Sequence, residues 1–394
     1  MLPAKVRTAI DECYTKAVAY RRHLHEFPEL SFHEEFTRTY ICQVLDSLGI
    51  SYERVKENNS VIATLKTEKP GPTIAFRADF DALALEEKTG CSFSSNKKNV
   101  MHACGHDAHC GALLAFAASL RQCPSLINGK VVFIFQAAEE ILPGGAIGVL
   151  KSGLIDNLDA IYGLHVTNEL SVGEVGVLAG PYMAASDSLH IDITSDGGHG
   201  AMPARNADSI MTMAFLVSEL NHIISRGAPI TNNSVLSICS VHGGNSYNVI
   251  PSHIDIDGTI RTFNEQSYSY ITDKVSNILA AAEFMSGCKV RYTISKGYPT
   301  LVNHLEKVAL LHRAFANQTD ISVVHIEETA IGEDFAYYLQ CTPGAFFRLG
   351  TKSGESTSYP LHSNYFNIDE AALKIALKAY WSIYLQEIKE RNEK

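Results

Sequence analysis

The run His102-Ala103-Cys104-Gly105-His106-Asp107-Ala108-His109-Cys110 crowds imidazoles, thiols and a carboxylate together just ahead of a helical pattern. Side chains of these types bind divalent metals or do nucleophilic and acid–base chemistry. A structural zinc site wants four N/S ligands at paired spacings, and no second Cys-x-x-Cys or His-x-x-x-His half is present, so a catalytic site is favoured. Glu139 and Glu140 close an apolar strand, Phe135-Gln136-Ala137-Ala138, at the kind of sheet edge where α/β proteins place active sites. Neighbours on an extended chain point oppositely, so one carboxylate would bind metal while the other faces the reacting water. Gly144-Gly145-Ala146 follows at once and reads as a close-approach loop rather than a solvated acidic surface. His165 ends another strand-like run, His362 lies near the C-terminus, and Asp79 and Asp81 end a third strand. Singly, each is more often a satisfied structural side chain; their convergence is the argument for chemistry.

These residues need elements to position them. The chain has 394 residues with 46% apolar content, enough for more than one core. Short β-rich runs at Val61–Leu65, Thr73–Phe76, Val131–Phe135 and Ala160–Tyr162 alternate with helical patterns such as Gly111–Leu120, which implies an α/β domain with a largely buried sheet. Ser31-Phe32-His33-Glu34 has capping-box spacing ahead of a helical period that ends at Gly49. From about Ser188 the order becomes β-α-β-β-α-β, the ferredoxin-like unit. The expected fold class is therefore α/β: a catalytic domain with a helix-flanked mixed sheet, residues 1–181 and 297–394, and an inserted ferredoxin-like lid and dimerisation domain, residues 182–296. A net charge of -10 without a basic cluster argues against nucleic acid, and no apolar run approaches the roughly 20 residues of a membrane span. The first residues read as an amphipathic helix rather than a signal peptide. Nine scattered cysteines read as reduced thiols, so the expected compartment is the cytoplasm.

The sequence resembles the metal-dependent aminoacylase and carboxypeptidase superfamily, in the branch of hippurate hydrolases, auxin-conjugate amidohydrolases and N-acetyl-diaminopimelate deacetylases. The likeness runs from Arg21-Arg22-His23-Leu24-His25 and Pro28-Glu29-Leu30 to Asn364. It is carried by Arg77–Leu83, His102–His109, Phe135–Glu140, Gly163–Val166, Gly197–Ala201, Asn248–Pro251, Gly258–Arg261 and Gly332–Phe335. The resemblance implies two divalent metal ions per subunit, zinc, manganese, cobalt or nickel, with Cys104, His106, Glu140, His165 and His362 as ligands and Cys104 as the bridge. Glu139 is similar to the family's general base, which takes a proton from water and passes it to the leaving nitrogen. Other branches carry His-x-Asp where this chain has Asp79-Phe80-Asp81, so Asp81 matches the supporting Asp and Asp79 stands in place of a ligand His. Relatives commonly have Pro after Gln136, which leads us to expect an altered loop shape and unchanged chemistry.

The resemblance also implies that His199, reaching from a homodimer partner, polarises the scissile carbonyl, and that Asn248 and Arg261 hold the oxyanion and the substrate carboxylate. Arg suits a carboxylate through its bidentate fork, the alternative for Arg261 being a sheet-edge ion pair. The implied substrate is a small N-acyl amino acid or similar amide. Two other readings compete: a thiol-dependent acyl hydrolase using Cys104 at a helix N-terminus, and a binding protein that kept the fold and lost turnover.

Overall fold

The computed structural model describes residues 1–227, 230 and 233–393, and the chain divides into two compact units. One comprises Met1–Gly180, Val302–Glu327 and Asp334–Lys394; the other comprises Pro181–Leu301 and Glu328–Glu333.

The first unit is built on an eight-stranded mixed sheet. Its strand order is Ser51–Arg54, Val61–Lys66, Lys130–Gln136, Thr73–Asp79, Ala160–Ser171, Gly344–Lys352, Glu174–Val177 and Ser322–His325. The four central strands run parallel, with Asp79 in register with Gln136 and Arg77 with Gly163, so their C-terminal ends finish at one edge. Parallel strands buried on both faces need continuous apolar character, which Val131–Phe135 and Ile74–Phe76 supply. Helices His106–Gln122 and Ala371–Asn392 pack on each other and against the sheet, and helix Ala4–Glu26 packs on both of them. The middle helix is buried from His106 through Leu120: from Cys110 on its residues are apolar or small all round, and His106, Asp107 and His109 in its first turn have buried polar partners.

The capping-box pattern at Ser31 is not a cap. Helix Glu35–Leu48 starts after Glu34 with no side-chain cap bond, while Ser31 Oγ donates to Asp81 Oδ2 at 2.7 Å and the Glu34 carboxylate accepts the Ala138 N–H at 2.9 Å. Both polar side chains are drawn inward by stronger, buried partners. The Gly49 stop is as expected, left-handed with φ 61.

The second unit holds a four-stranded antiparallel sheet, order Val235–Gly243, His253–Thr262, Ala185–Thr194, Lys289–Ser295. With helices Ser209–Gly227 and Glu265–Ser286 it has the β-α-β-β-α-β connection. Leu189, Ile191, Ile193, Ile254, Ile256 and Ile260 form one sheet face and pack with Leu216, Leu220, Ile271 and Val275 of the helices. All nine cysteines are free, and no helix among the described residues is long and apolar enough to cross a membrane.

Candidate metal centre and active site

Four chain segments of the first unit bring donors to one place. Cys104 lies just before helix His106–Gln122, where Gly105 is left-handed at φ 84; a Cβ there would meet Val166 Cγ2 at 2.3 Å, so only glycine lets the loop close on the strand. The ligand atoms of Cys104, His106 and His165 lie within 4.8 Å of one another, as do those of Cys104, Glu140 and His362, and those of His106, Glu139 and Glu140. Cys104 thus belongs to two donor triads. Its Sγ is 3.4 Å from His165 Nε2, and His362 Nε2 is 3.3 Å from Glu140 Oε1.

Hydrogen bonds fix which ring nitrogen each histidine offers. His106 Nδ1 faces the Asp81 carbonyl at 3.0 Å and Asp81 Oδ1 at 3.2 Å, so that nitrogen carries the proton and Nε2 presents its lone pair. His165 Nδ1 donates to the Val166 carbonyl at 2.7 Å, again leaving Nε2. His109 is different: Nδ1 donates to Asp79 Oδ1 at 2.6 Å and Nε2 accepts the Val166 N–H at 2.9 Å. Both nitrogens are spent, and burial holds its pKa down. His109 is a neutral strut.

A divalent cation suits the donor set. His106 Nε2 and Glu140 Oε1 are buried with no hydrogen-bond partner, 4.0 Å apart, a costly arrangement unless a cation satisfies both. One imidazole–carboxylate support, Asp81 behind His106, has the form common to metal-ligating histidines.

Asp79 is committed elsewhere. Its Oδ2 takes Arg77 Nη1 at 2.5 Å and its Oδ1 takes His109, while Oδ2 also lies 3.8 Å from His106 Nε2, so it sits beside the donors as a buried counter-charge. Glu139 and Glu140 are not, as the sequence led us to expect, neighbours on an extended chain. The Lys130–Gln136 strand ends before them, Ala138 is left-handed at φ 55, and both carboxylates come within reach of His106. The Gly144–Ala146 loop does approach closely: a Cβ on Gly145 would sit 1.8 Å from the Ala137 carbonyl oxygen.

Other groups were not foreseen as parts of the site. Asp334 is buried and accepts Arg77 Nη2 at 2.7 Å, Gln136 Nε2 at 2.7 Å and the Ala146 N–H at 3.0 Å, tying the sheet edge to the loop that follows Glu140. Its presence in the Gly332–Phe335 motif was the available signal. Asp107 is held by Arg21 at 3.1 Å and His25 at 2.8 Å, and His25 reaches Glu87 at 3.2 Å. Burial disfavours charge on His25, but Asp107 and Glu87 outweigh it and raise its pKa to about 9. Its contribution to stability is complete below the ordinary imidazole range near 6.5 and is lost as pH climbs through about 9. Asp107 has the opposite sense: burial opposes ionisation, Arg21 and His25 override it, and its contribution is lost as pH falls below the carboxylate range. Asp107→Asn removes the buried charge that Arg21 and His25 share, leaving them Glu370 and Glu87, and is expected to cost about 3–5 kcal/mol in denaturant unfolding. A loss under about 1 kcal/mol shows that the network is dispensable.

In the second unit, His199 pairs with Val249 in a two-stranded ribbon, Gly198–His199 with Val249–Ile250. His199 Nδ1 accepts the Ala201 N–H at 3.1 Å, which puts the ring proton on an exposed Nε2. Asn248 Oδ1 accepts Ser246 Oγ at 2.7 Å, leaving its Nδ2 hydrogens to donate. Arg261 lies on an inner strand, in register with Ser186 and Val235, and makes no ion pair among the described residues, so it is not the sheet-edge pair that competed with a ligand role.

An α/β sheet whose strand ends and flanking loops deliver His, Cys and carboxylate donors to one place, with only His362 exposed among the ligand candidates, has the layout of a metallohydrolase. The Peptidase family M20/M25/M40 model matches residues 75–386. The N-acetyl-L-cysteine deacetylase of Bacillus subtilis is 36% identical over 367 residues, 93% of this chain and 86% of that protein. The N-acyl-L-amino acid amidohydrolase of Geobacillus stearothermophilus is 37% identical over 306 residues, 78% of this chain and 83% of that protein. A Bacillus subtilis structure described as a dinuclear metal-binding peptidase of the M20 family aligns with TM-score 0.84 and 33% identity, covering 96% of this chain and 99% of that one. The chain belongs to Peptidase family M20/M25/M40 and is a hydrolase acting on amide bonds.

Proposed function

We propose that the protein is a metal-dependent amidohydrolase that cleaves the amide bond of small N-acyl amino acids. The observation that carries this reading is Cys104, shared by two donor triads with Glu139 beside them. On this reading Cys104, His106, Glu140, His165 and His362 would hold two divalent ions per subunit, zinc, manganese, cobalt or nickel, Cys104 being the donor common to two triads. Such ions polarise an amide carbonyl and acidify water. Glu139 takes the proton of the attacking water and delivers it to the leaving nitrogen. Asp81 keeps the His106 proton on Nδ1. His199, with its proton on Nε2, donates to the carbonyl oxygen, and the Asn248 amide stabilises the negative charge that develops there. The deacetylase and amidohydrolase names of the relatives support the substrate class.

A thiol nucleophile fits less well. Burial, and then the Glu140 charge, push Cys104 up to about 12, so the metal-free chain has no thiolate to attack with near neutral pH. The deciding experiment is a panel of N-acyl amino acids scored for amine release with metal-loaded protein. Release of none of them overturns the reading.

Arg261 is proposed to grip the substrate carboxylate. Arg261→Met should lower kcat/KM for N-acyl amino acids by the worth of one charge-assisted pair, about 1.5–3 kcal/mol, and much less for the matching amides. Equal losses on acid and amide substrates leave Arg261 without that role.

We further propose a homodimer in which His199 serves the partner's site, working in the cytoplasm, where free cysteines stay reduced. Glu139→Gln and His199→Ala chains, each nearly inactive alone, then complement: equal co-expression should give about one quarter of wild-type activity, since half the dimers are mixed and half their sites intact. Mixed dimers confirmed by mass that show only background activity contradict the shared site.

A further inference from the structure

Glu34 is fully buried in the turn ahead of helix Glu35–Leu48, and its carboxylate serves neither the helix nor the metal donors. Oε1 accepts two backbone N–H groups, from Phe32 and from Ala138, each at 2.9 Å. Oε2 accepts Asn59 Nδ2 at 3.0 Å. Both backbone donors belong to non-glycine residues in the left-handed region, φ 66 at Phe32 and φ 55 at Ala138. A residue with a Cβ leaves that region unless its surroundings hold it there. One carboxylate oxygen therefore holds two disfavoured turns at once.

Ala138 immediately precedes Glu139. On the other side, the Glu140 N–H donates to Asp81 Oδ2 at 2.9 Å, and Ala137 N–H donates to Ser60 Oγ at 3.0 Å. The peptide groups flanking Glu139 are thus tied to side chains from three distant segments. Ala138 itself is held at its N–H by the Glu34 carboxylate and at its carbonyl by the Gly145 N–H at 2.8 Å, and Glu34 is the side chain of that pair. Rotation of Ala138 into the ordinary β or α region swings the Glu139 Cα–Cβ bond, while Glu140 stays anchored through Asp81.

We propose that Glu34 is a positioning residue for the amide hydrolysis: a hydrogen-bond acceptor that keeps Ala138 left-handed and so aims the Glu139 carboxylate. The proposal rests on Glu139 being the general base. It requires Glu34 to accept hydrogen bonds and not to exchange a proton, which separates it from an acid–base role.

The test compares Glu34→Ala, Glu34→Gln and the double variant Glu34→Ala with Ala138→Gly, reading kcat, KM and bound metal in each metal-loaded protein. Misplacing a reacting group by about 1 Å costs up to about 100-fold, so Glu34→Ala should lower kcat by about 10- to 100-fold while KM and metal content stay within about two-fold. Glu34→Gln should keep most of the rate, because its amide oxygen can still accept both N–H groups. Ala138→Gly should recover at least about three-fold of the Glu34→Ala loss, since glycine adopts positive φ unaided. A Glu34→Ala rate within about two-fold of wild type overturns the proposal, as does metal lost in step with activity, Glu34→Gln as slow as Glu34→Ala, or no recovery with glycine. If Glu34→Ala does not fold, Glu34→Asp, one methylene short of the Ala138 N–H, takes its place with the same expectations. Glu139→Gln, assayed alongside, keeps the two failures apart. Wild-type turnover there removes the general base itself, whereas loss there with none in Glu34→Ala removes only the clamp.

Discussion

Glu139→Gln should keep its metal and lose about 10²–10⁴-fold in kcat, the usual worth of a positioned general base. The physical basis is that a Gln side chain occupies the same space and can accept a hydrogen bond but cannot take the proton from water or hand it to the leaving nitrogen. Its neighbour gives the contrast. Glu140 shares one donor triad with Cys104 and His362, and its Oε1 is buried without a hydrogen bond, so Glu140→Gln should lose metal affinity, and rate through it. Elemental analysis beside steady-state kinetics separates the two. A Glu139→Gln protein that binds metal poorly beside a Glu140→Gln protein that binds it normally reverses the assignment.

Chelation should abolish turnover, and a divalent ion should restore it. Cys104, His106, Glu140, His165 and His362 each present an atom that can coordinate a cation, and two of those atoms, His106 Nε2 and Glu140 Oε1, are buried without a hydrogen bond, with His362 Nε2 3.3 Å from the latter. Cys104→Ala removes the donor common to two triads and should reduce bound metal and rate together. Affinity should also rise with pH. Histidine and cysteine ligands coordinate only in their deprotonated forms, so protons compete with the cation for the donor set. Full activity in protein shown by elemental analysis to be metal-free would remove the metal from the reaction.

Much of the architecture was legible in the residues. Alternation at Leu189, Ile191 and Ile193 and at Ile254 and Ile256 marks strands with one apolar face, and those residues do form the inner face of the second sheet. The helix ahead of Gly49 stops where a residue free to take positive φ is supplied. These signals are local: a period of two or 3.6, or one glycine, reports on backbone that its own neighbours determine. The capping-box reading failed for the complementary reason. Ser31 and Glu34 have the right spacing, yet Asp81 and Ala138, distant in sequence, compete for them and win because a buried hydrogen bond to a charged or otherwise orphaned group outweighs a helix cap at the surface.

The same division runs through the site. Residue chemistry alone singled out the His102–Cys110 cluster and the Glu139–Glu140 pair, because metal chemistry admits few side-chain types, and the resemblance added the candidate roles of Cys104, His106, Glu139, Glu140, His165 and His362. What no spacing could say is which nitrogen of each histidine is free, that His109 and Asp79 satisfy each other, or that Asp334 and Glu34 hold the loop around Glu139. Those facts depend on hydrogen bonds between atoms contributed by segments far apart in sequence. A hydrogen bond is short and directional, so it exists only once the parallel strands have brought their ends level and the loops beyond them have closed.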